Sequence, residues 1–335
     1  MQSNAPLPRS RPLKRDWRFW LGILFSAASV VWLLFTTNWP AAWTALKSAD
    51  YALVVVAIAL NLSTIPLRSA RWRLTFSPQK LPALGRLTAI MLIGQAVNVI
   101  APARLGDLLR ASLVKEESVS YVLGTQVLQS ALDLLMVAAL TTLLLFQLSL
   151  PAWWKGSAQA LLLTSGVVFA GVIGLIVGRK LILQFLTAMS AQWTWRYGRR
   201  ALDFVAQFLR SLNSFRNPLV LGVSLLASVL IWGIYGAVNY LLLAAVGVQP
   251  SLLAAFFLLV VLQLSIAVPS SPGRIGVYHY LSVLALAVFG INNAQALSFA
   301  IILHLISIVM PIALGAILAW LMNVNLDSSA WQTNG

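Results

Sequence analysis

Two short segments carry the residue types best suited to binding an anion within a membrane. The first reads Ala-Pro-Ala-Arg-Leu-Gly at 101–106, and the second reads Ser-Pro-Gly-Arg-Ile-Gly at 271–276, 170 residues later. In each segment proline ends the preceding helix, and glycine permits backbone conformations that other residues resist. The helix that begins after such a break offers free N–H groups, and arginine adds a planar fork of donors that suits phosphate. The pair therefore predicts two anion-binding helix breaks.

A charged ladder follows the first break. Arg104, Asp107 and Arg110 are spaced three residues apart, so neighbours can pair on one helix face. Two interpretations stay open: the ladder only anchors the break at the inner interface, or the arginines bind an anionic headgroup that Asp107 positions. Asn98 precedes the break and is expected to bond freed backbone carbonyls, although it could also contact substrate. The substrate-binding candidates are Arg104, Arg110, Arg274, Asp107 and Asn98. The break residues are Pro102, Gly106, Pro269, Pro272, Gly273 and Gly276.

Three further ionisable residues lie within or beside apolar stretches. Asp133 shares a helix face with Gln126 and Gln129, and a carboxylate in lipid needs a partner. We expect Asp133 to pair with an arginine of the first break, with proton coupling as the alternative. His304 lies in the middle of the last apolar stretch and is expected to pack between helices, and His279 follows the second break. Proton coupling remains open for both histidines.

The composition indicates that these residues belong to an integral membrane protein. Of 335 residues, 60% are apolar and only 9% are charged, and the mean hydropathy is +0.86. Soluble domains carry about 25% charged residues. The apolar runs are continuous rather than alternating, which predicts an all-α, polytopic helical protein and not a membrane barrel.

The same composition excludes several classes of chemistry. With no cysteine, disulfides and thiolate sites are impossible, and two histidines with eight carboxylates predict neither a metal site nor a cofactor. Nucleotide-binding loops and nucleophile elbows are absent from the sequence, so no catalytic residue is assigned. We attribute the net charge of +15 to basic loops that face an anionic leaflet, not to nucleic-acid binding.

Six apolar stretches are long enough to span a bilayer, which takes about 20 residues. They are 19–37, 51–70, 118–148, 157–178, 218–246 and 294–322. Two shorter stretches each run into a break, and they predict re-entrant or broken helical hairpins at 84–115 and 252–290. The segment 181–212 predicts an amphipathic helix or helix pair on the inner leaflet, or a basic surface helix packed on the bundle.

The basic residues predict the orientation. If hairpin 84–115 returns to its own side, 20 of the 23 Lys and Arg residues fall on one side of the membrane, which is then cytoplasmic. The basic N-terminus 1–18, followed by a retained signal anchor, and the tail 323–335 are both expected to be cytoplasmic. The expected location is the inner, or plasma, membrane.

The two breaks also predict an inverted repeat. The halves 19–149 and 157–322 each hold three spans and one hairpin, and the 170-residue offset aligns several of these spans as well as the breaks. Since three is odd, the second half begins on the opposite side, so one hairpin opens to the cytoplasm and the other to the outside. Transporters with this layout bind substrate where broken helices meet near the midplane.

The motifs resemble a known family, the lysylphosphatidylglycerol synthase transmembrane region, also called flippase-like or UPF0104. The pattern is Asn98-x3-Pro102-x-Arg104-x-Gly106-Asp107-x2-Arg110, then Asp133, then Pro269-x2-Pro272-Gly273-x2-Gly276. The resemblance covers about 20–322 and implies a polytopic inner-membrane protein that moves lipids or lipid-linked sugars between leaflets. Two departures stand out: many members have an acidic residue where this chain has His279, and a charged residue near Gln129.

The expected function is therefore a lipid flippase or transporter with an anionic phospholipid or a polyprenyl-phosphate-linked substrate. Movement would be downhill or ion-coupled, since no ATP motif is present. Synthase activity belongs to a soluble domain fused to some family members, and with 13 residues after the last span we expect none here. The alternatives are a membrane-embedded transferase acting on a lipid phosphate and a non-catalytic subunit of a lipid-modifying complex.

Overall fold

The computed structural model describes residues 17–100, 105–147, 152–192, 196–264 and 270–324. Within these ranges the regular structure is helical, without strands. The helices are α1 (Trp17–Thr36), α2 (Trp39–Lys47), α3 (Tyr51–Arg73), α4 (Leu84–Ile100), α5 (Leu105–Leu113), α6 (Val119–Gln147), α7 (Ala152–Gln192), α8 (Arg196–Ser211), α9 (Pro218–Ala245), α10 (Leu252–Leu264), α11 (Val277–Ala287), α12 (Asn293–His304) and α13 (Met310–Leu321).

Five helical segments in these ranges are long and apolar enough to cross a membrane: α3, α6, α7, α9 and the joined α12 and α13. A sixth is counted if α1 and α2 form one span, although the chain bends by 91° between them. The bend occurs because the Asn38 side chain accepts the N–H of Ala41 and Pro40 opens a new helix. The prediction of an all-α, polytopic membrane protein is confirmed.

The two predicted hairpins are pairs of short helices on either side of an interruption. α4 and α5 flank the first break, and α10 and α11 flank the second. The last predicted span also has an interruption, a π-helical turn at Leu305–Val309 that precedes Pro311. Asn61 of α3 donates a hydrogen bond from Nδ2 to the carbonyl of Ile306 within this turn, at 3.2 Å. A neighbouring helix thus satisfies backbone in the irregular turn, as burial in lipid requires.

The segment 181–212 divides differently from the prediction. α7 continues past the expected end of the span at 178 as far as Gln192, and only α8 is a separate amphipathic helix. Leu209 and Leu212 of this region are buried against Leu128 of α6. The contact agrees with the interpretation of a basic helix packed on the bundle.

α3 and α9 pack along each other at the centre of the bundle, where Ala57, Trp232 and Phe257 belong to the main core. Several other contacts come in corresponding pairs. α3 contacts α4 as α9 contacts α10, and α4 contacts α5 as α10 contacts α11. α4 also packs on α13, while α10 packs on α6. The short helix before each break therefore packs against a helix of the other half of the sequence: α4 against α13, and α10 against α6.

The contact between α4 and α13 depends on Gly315. A Cβ atom at this position would lie 2.4 Å from the carbonyl oxygen of Leu92 and 2.9 Å from the Cβ of Ala96. Because the nearest obstacle is backbone, it cannot rotate away, and only glycine permits this approach.

We expect Gly315→Ala to destabilise the protein by about 1–3 kcal/mol through overpacking. Thermal unfolding of the detergent-solubilised protein measures this loss. Gly174→Ala is the matched control, since a Cβ at Gly174 meets nothing within 4 Å. Equal melting temperatures for the two variants would contradict the close packing of α13 on α4.

Candidate functional site

The helices around the first break pack backbone to backbone. A Cβ atom at Gly106 would lie 1.9 Å from the carbonyl oxygen of Gly94 and 2.7 Å from Oδ1 of Asn98. At Gly94 a Cβ would lie 2.3 Å from Cγ of Arg110, so this arginine lies flat across α4. Gly106, predicted as a break residue, is therefore needed for close approach between α4 and α5. Pro102 and Arg104, with Pro269 of the second break, lie outside the described residues.

Asp107 joins three helices at the first break. Its carboxylate accepts a hydrogen bond from Asn98 Nδ2 at 2.9 Å and forms a salt bridge with Arg110. Its backbone carbonyl accepts a hydrogen bond from Gln126 Nε2 of α6 at 3.1 Å. Asp107 also lies in the first turn of α5, where the helix dipole favours a negative charge. It therefore ties α4, α5 and α6 together.

These contacts bear on two predictions about the first break. The Asp107–Arg110 part of the ladder is confirmed. The described partner of Asn98 is the Asp107 carboxylate, because α5 folds back along α4 and brings it to the Asn98 amide. The carbonyls at 101–104, which Asn98 was expected to bond, lie outside the described residues. Oδ1 of Asn98 is buried and has no hydrogen-bond partner among the described residues. An acceptor is thus available beside the break.

The backbone of the second break is left-handed at three positions. Gly273 has φ 73°, Gly276 has φ 87° and Arg274 has φ 56°. A non-glycine residue in this region is strained and persists only where its surroundings hold it. A Cβ at Gly276 would also lie 2.6 Å from the carbonyl oxygen of Ser26 in α1. Both glycines named from sequence are therefore required by geometry, and Arg274 is held in a conformation that needs support.

Side chains from two distant helices provide this support. Ser26 of α1 accepts a hydrogen bond from the N–H of Ser271, at 2.8 Å, just ahead of the turn that Pro272 begins. His304 lies at the end of α12, and its Nε2 donates to the carbonyl of Gly273 at 2.8 Å. The donor is the histidine because a carbonyl oxygen only accepts. His304 thus bonds the break directly, whereas the sequence predicted helix packing.

An aromatic cluster surrounds this hydrogen bond. The His304 ring centroid lies 4.9 Å from that of His279 and 5.2 Å from that of Tyr278. Arg274 acts electrostatically on both His304 and Tyr278. The structure therefore brings Arg274, His279 and His304 together, which the sequence did not predict for the two histidines.

The second break contacts the helix that precedes the first. The turn 272–274 packs against α4. Arg110 pairs with Asp107 in α5, and Arg274 directly follows Gly273, whose carbonyl accepts the His304 hydrogen bond.

A second polar site lies between α3, α6 and α9. Arg71 is 2% exposed, and its guanidinium forms a salt bridge with Asp133 at 2.8 Å. Its Nε donates to Oε1 of Gln129 at 2.8 Å, and another guanidinium nitrogen donates to Ser228 Oγ at 2.7 Å. Trp232 Nε1 adds a longer contact to Asp133 at 3.5 Å. Three helices are held at one buried cation.

This site corrects the predicted partner of Asp133. The carboxylate pairs with Arg71 of α3 and not with an arginine of the first break, because α3 continues to Arg73 and carries Arg71 into the bundle. The span predicted from sequence, 51–70, ended before Arg71 and left this residue outside the membrane. Two signals in the sequence could have identified Arg71. Asp133 needs a cation as its partner, and Arg68 and Arg71 lie one helical turn apart at the end of the preceding apolar stretch. Arg68 itself lies beside Tyr235 and in the field of Asp133.

One face of α6 connects the two sites. Gln126 bonds Asp107, whereas Gln129 and Asp133 bond Arg71. These three residues were predicted to share a face, and that prediction is confirmed. No group of three or more metal-ligating side chains occurs within the described ranges.

We expect Asp133→Leu to destabilise the protein by about 3–5 kcal/mol, since it leaves Arg71 buried without its counter-charge. The double variant Arg71→Met with Asp133→Leu should recover most of this loss, because both charges are gone. Chemical unfolding in detergent measures both. Glu117→Gln, which breaks the ion pair with exposed Lys80, is the control and should cost less than about 1 kcal/mol. A double variant that loses as much as the single would disprove the coupling.

Several known proteins are similar to this chain. The family model for the lysylphosphatidylglycerol synthase transmembrane region matches residues 19–315. A protein named glycosyltransferase AglD, from Haloferax volcanii, is 26% identical over 86% of this chain and 52% of its own length. The chain thus spans about half of that relative.

Two archaeal UPF0104 membrane proteins are also similar. The one from Methanocaldococcus jannaschii is 24% identical over 69% of this chain and 95% of its own length. The one from Methanothermobacter thermautotrophicus is 24% identical over 81% of this chain and 86% of its own length. No solved structure matches the chain significantly. Because the family model covers most of the sequence, this chain belongs to the family of lysylphosphatidylglycerol synthase transmembrane regions.

Proposed function

We propose that this protein moves an anionic, phosphate-bearing lipid or lipid-linked sugar between membrane leaflets, with the headgroup held between the two helix breaks. The observation that supports the proposal is the contact of α4, the helix before the first break, with the turn 272–274 of the second. We assign Arg110 and Arg274 to the headgroup, and Arg104 is assigned to the same role from sequence. The lipid tails stay in the surrounding bilayer.

The composition of the two breaks favours an anionic ligand. The segments 101–110 and 271–276 hold three arginines and one carboxylate, that of Asp107. An arginine at membrane depth costs at least about 2.5–3.5 kcal/mol, and a bound phosphate relieves that cost. Charge-assisted hydrogen bonds from a guanidinium to phosphate are also directional, which favours one orientation of the headgroup.

The paired helix contacts support an inverted repeat as the mechanical basis. The helices α3 to α6 correspond in order to α9, α10, α11 and the joined α12 and α13. If the halves have opposite orientations, each break opens toward a different leaflet. Rocking of one half against the other then exposes the headgroup site to the two sides in turn.

The transferase alternative rests on the name of AglD, which is a glycosyltransferase. A transferase needs a positioned base or nucleophile. Asp107 and Asp133 are the carboxylates at membrane depth, and both are engaged by arginines. The site therefore supports binding and movement of a lipid phosphate better than chemistry on it. A non-catalytic subunit would bind the same lipid without moving it.

We place the protein in the inner membrane with both termini in the cytoplasm. The natural chain has no cysteine, so single cysteines report topology without background. Cysteines at Lys47 and Lys155 should react with an impermeant thiol reagent added outside intact cells, and those at Lys80 and Gln207 should not. Labelling at Gln207 from outside would reverse the orientation.

The headgroup site is tested with Arg110→Gln, Arg274→Gln and the control Arg86→Gln. Each of the first two should weaken binding of phosphatidylglycerol about 10- to 100-fold, because a charge-assisted hydrogen bond is lost. Both should also slow the movement of fluorescent phosphatidylglycerol in liposomes that contain only this protein. Arg86 pairs with Glu116 as Arg110 pairs with Asp107, so its substitution controls for the loss of an ion pair.

Adding Asp107→Asn to Arg110→Gln separates binding from folding, since it removes the carboxylate left without its partner. If the double variant is as stable as the unsubstituted protein and still binds the lipid weakly, Arg110 acts on the lipid. Unchanged binding and movement in Arg110→Gln and Arg274→Gln would remove the headgroup site and leave the breaks as structural elements.

A further inference from the structure

An apolar groove separates α7 from α8, away from the two breaks. It encloses a cavity of about 320 Å³. The lining side chains are Leu175, Ile182, Phe204, Val205, Phe208 and Leu209. The volume lies at the lower end of the range for small-molecule sites, which is about 300–1,000 Å³.

The apolar face of α8 is wider than its contact with the bundle. Leu209 is 1% exposed, whereas Phe204 is 46% and Val205 is 38% exposed. A helix that only had to dock on α6 would need the buried residue and not the other two. The exposed part faces the groove, so its apolar surface calls for an apolar occupant.

Three arginines lie at one end of this groove. Arg179 is one helical turn from both Leu175 and Ile182 on α7, which line the groove. Arg210 follows Leu209 of the groove lining, and Arg216 ends the short 3-10 helix Leu212–Arg216, which contacts α7. Both arginines act electrostatically on Arg179. The Nε of Arg179 is buried and has no hydrogen-bond partner among the described residues. Such a donor is costly unless an acceptor reaches it.

We propose that this groove binds an anionic phospholipid as a resident ligand, with an acyl chain between α7 and α8 and the phosphate on Arg179, Arg210 and Arg216. The charge and the shape of the site select this occupant. A phosphate supplies the acceptor that Arg179 Nε lacks, and an acyl chain covers Phe204 and Val205. Basic pockets between helices at the cytoplasmic side are a general form of anionic-lipid recognition.

This lipid is distinct from the transported substrate. The groove is formed by α7 and α8, whereas the proposed transport site is formed by α4, α5 and the turn 272–276. α8 packs on α6, where Gly124 leaves room for Ser211 because a Cβ would lie 2.0 Å from its hydroxyl oxygen. A resident lipid therefore stabilises α8 on α6, the helix that carries the polar face.

Native mass spectrometry of the delipidated full-length protein, titrated with dioleoyl-phosphatidylglycerol, tests the proposal. The protein should bind one phosphatidylglycerol at this groove at least about tenfold more tightly than dioleoyl-phosphatidylcholine. Arg179→Gln and Arg216→Gln should each lose this preference. The matched control is Lys180→Gln, which removes the same charge one residue further along, and its affinity should change by about twofold or less.

Two further arms identify the ligand. Val205→Trp fills the groove without a change in charge and should weaken binding about tenfold, while glycerol phosphate should not compete with the lipid. Arg274→Gln should keep one phosphatidylglycerol bound at the groove and lose only the binding at the transport site, whereas Arg179→Gln should do the reverse. Failure of the transport site and failure of the groove therefore give different results.

The proposal is overturned if Lys180→Gln weakens binding as much as Arg179→Gln, which would indicate diffuse surface charge. It is also overturned if glycerol phosphate competes fully or Val205→Trp has no effect, since the groove would then take no part. Melting temperatures without lipid show whether each variant is folded. If Arg179→Gln is unstable, Arg216→Gln replaces it in the test, since Arg216 is exposed at the end of the short helix Leu212–Arg216.

Discussion

The buried guanidinium of Arg71 sets the arrangement of the central helices. A cation at this depth persists only if the protein supplies its counter-charge and its hydrogen-bond acceptors. Asp133, Gln129 and Ser228 do so from α6 and α9, and this fixes the rotation and height of three helices relative to one another. Because the same face of α6 continues to Gln126, the constraint extends to the first helix break.

The cost of leaving polar groups unsatisfied in lipid also governs the irregular backbone of this fold. Free N–H and carbonyl groups in lipid are tolerated only where protein groups or water satisfy them. Among the described residues, three sites at or beside a helix interruption are bonded by a side chain from another helix. Gln126 bonds the start of α5, Ser26 and His304 bond the second break, and Asn61 bonds the π-helical turn. The breaks are therefore specified features, and specified breaks are suited to ligands.

How much of this was predictable depends on whether a feature is local. Continuous apolar runs and the two Pro/Gly motifs predicted the helical class, the short helices and the glycines of the breaks, since each follows from nearby residues. The length of α7 was underestimated because Arg179 and Lys180 lower the local hydropathy, although they do not interrupt helical hydrogen bonding. The partners of Asp133, Asn98 and His304 could not be predicted. Each contact joins two helices, and the spacing of residues along the sequence does not show how helices pack.

The central claim is that the two breaks hold one anionic headgroup between them. A cryo-electron microscopy map of the protein in nanodiscs made from its native membrane lipids tests it most directly. The account predicts phosphate-sized density between α4 and the turn 272–276, within hydrogen-bond distance of the Arg274 guanidinium. A well-resolved map in which no density other than protein lies between α4 and this turn would contradict it.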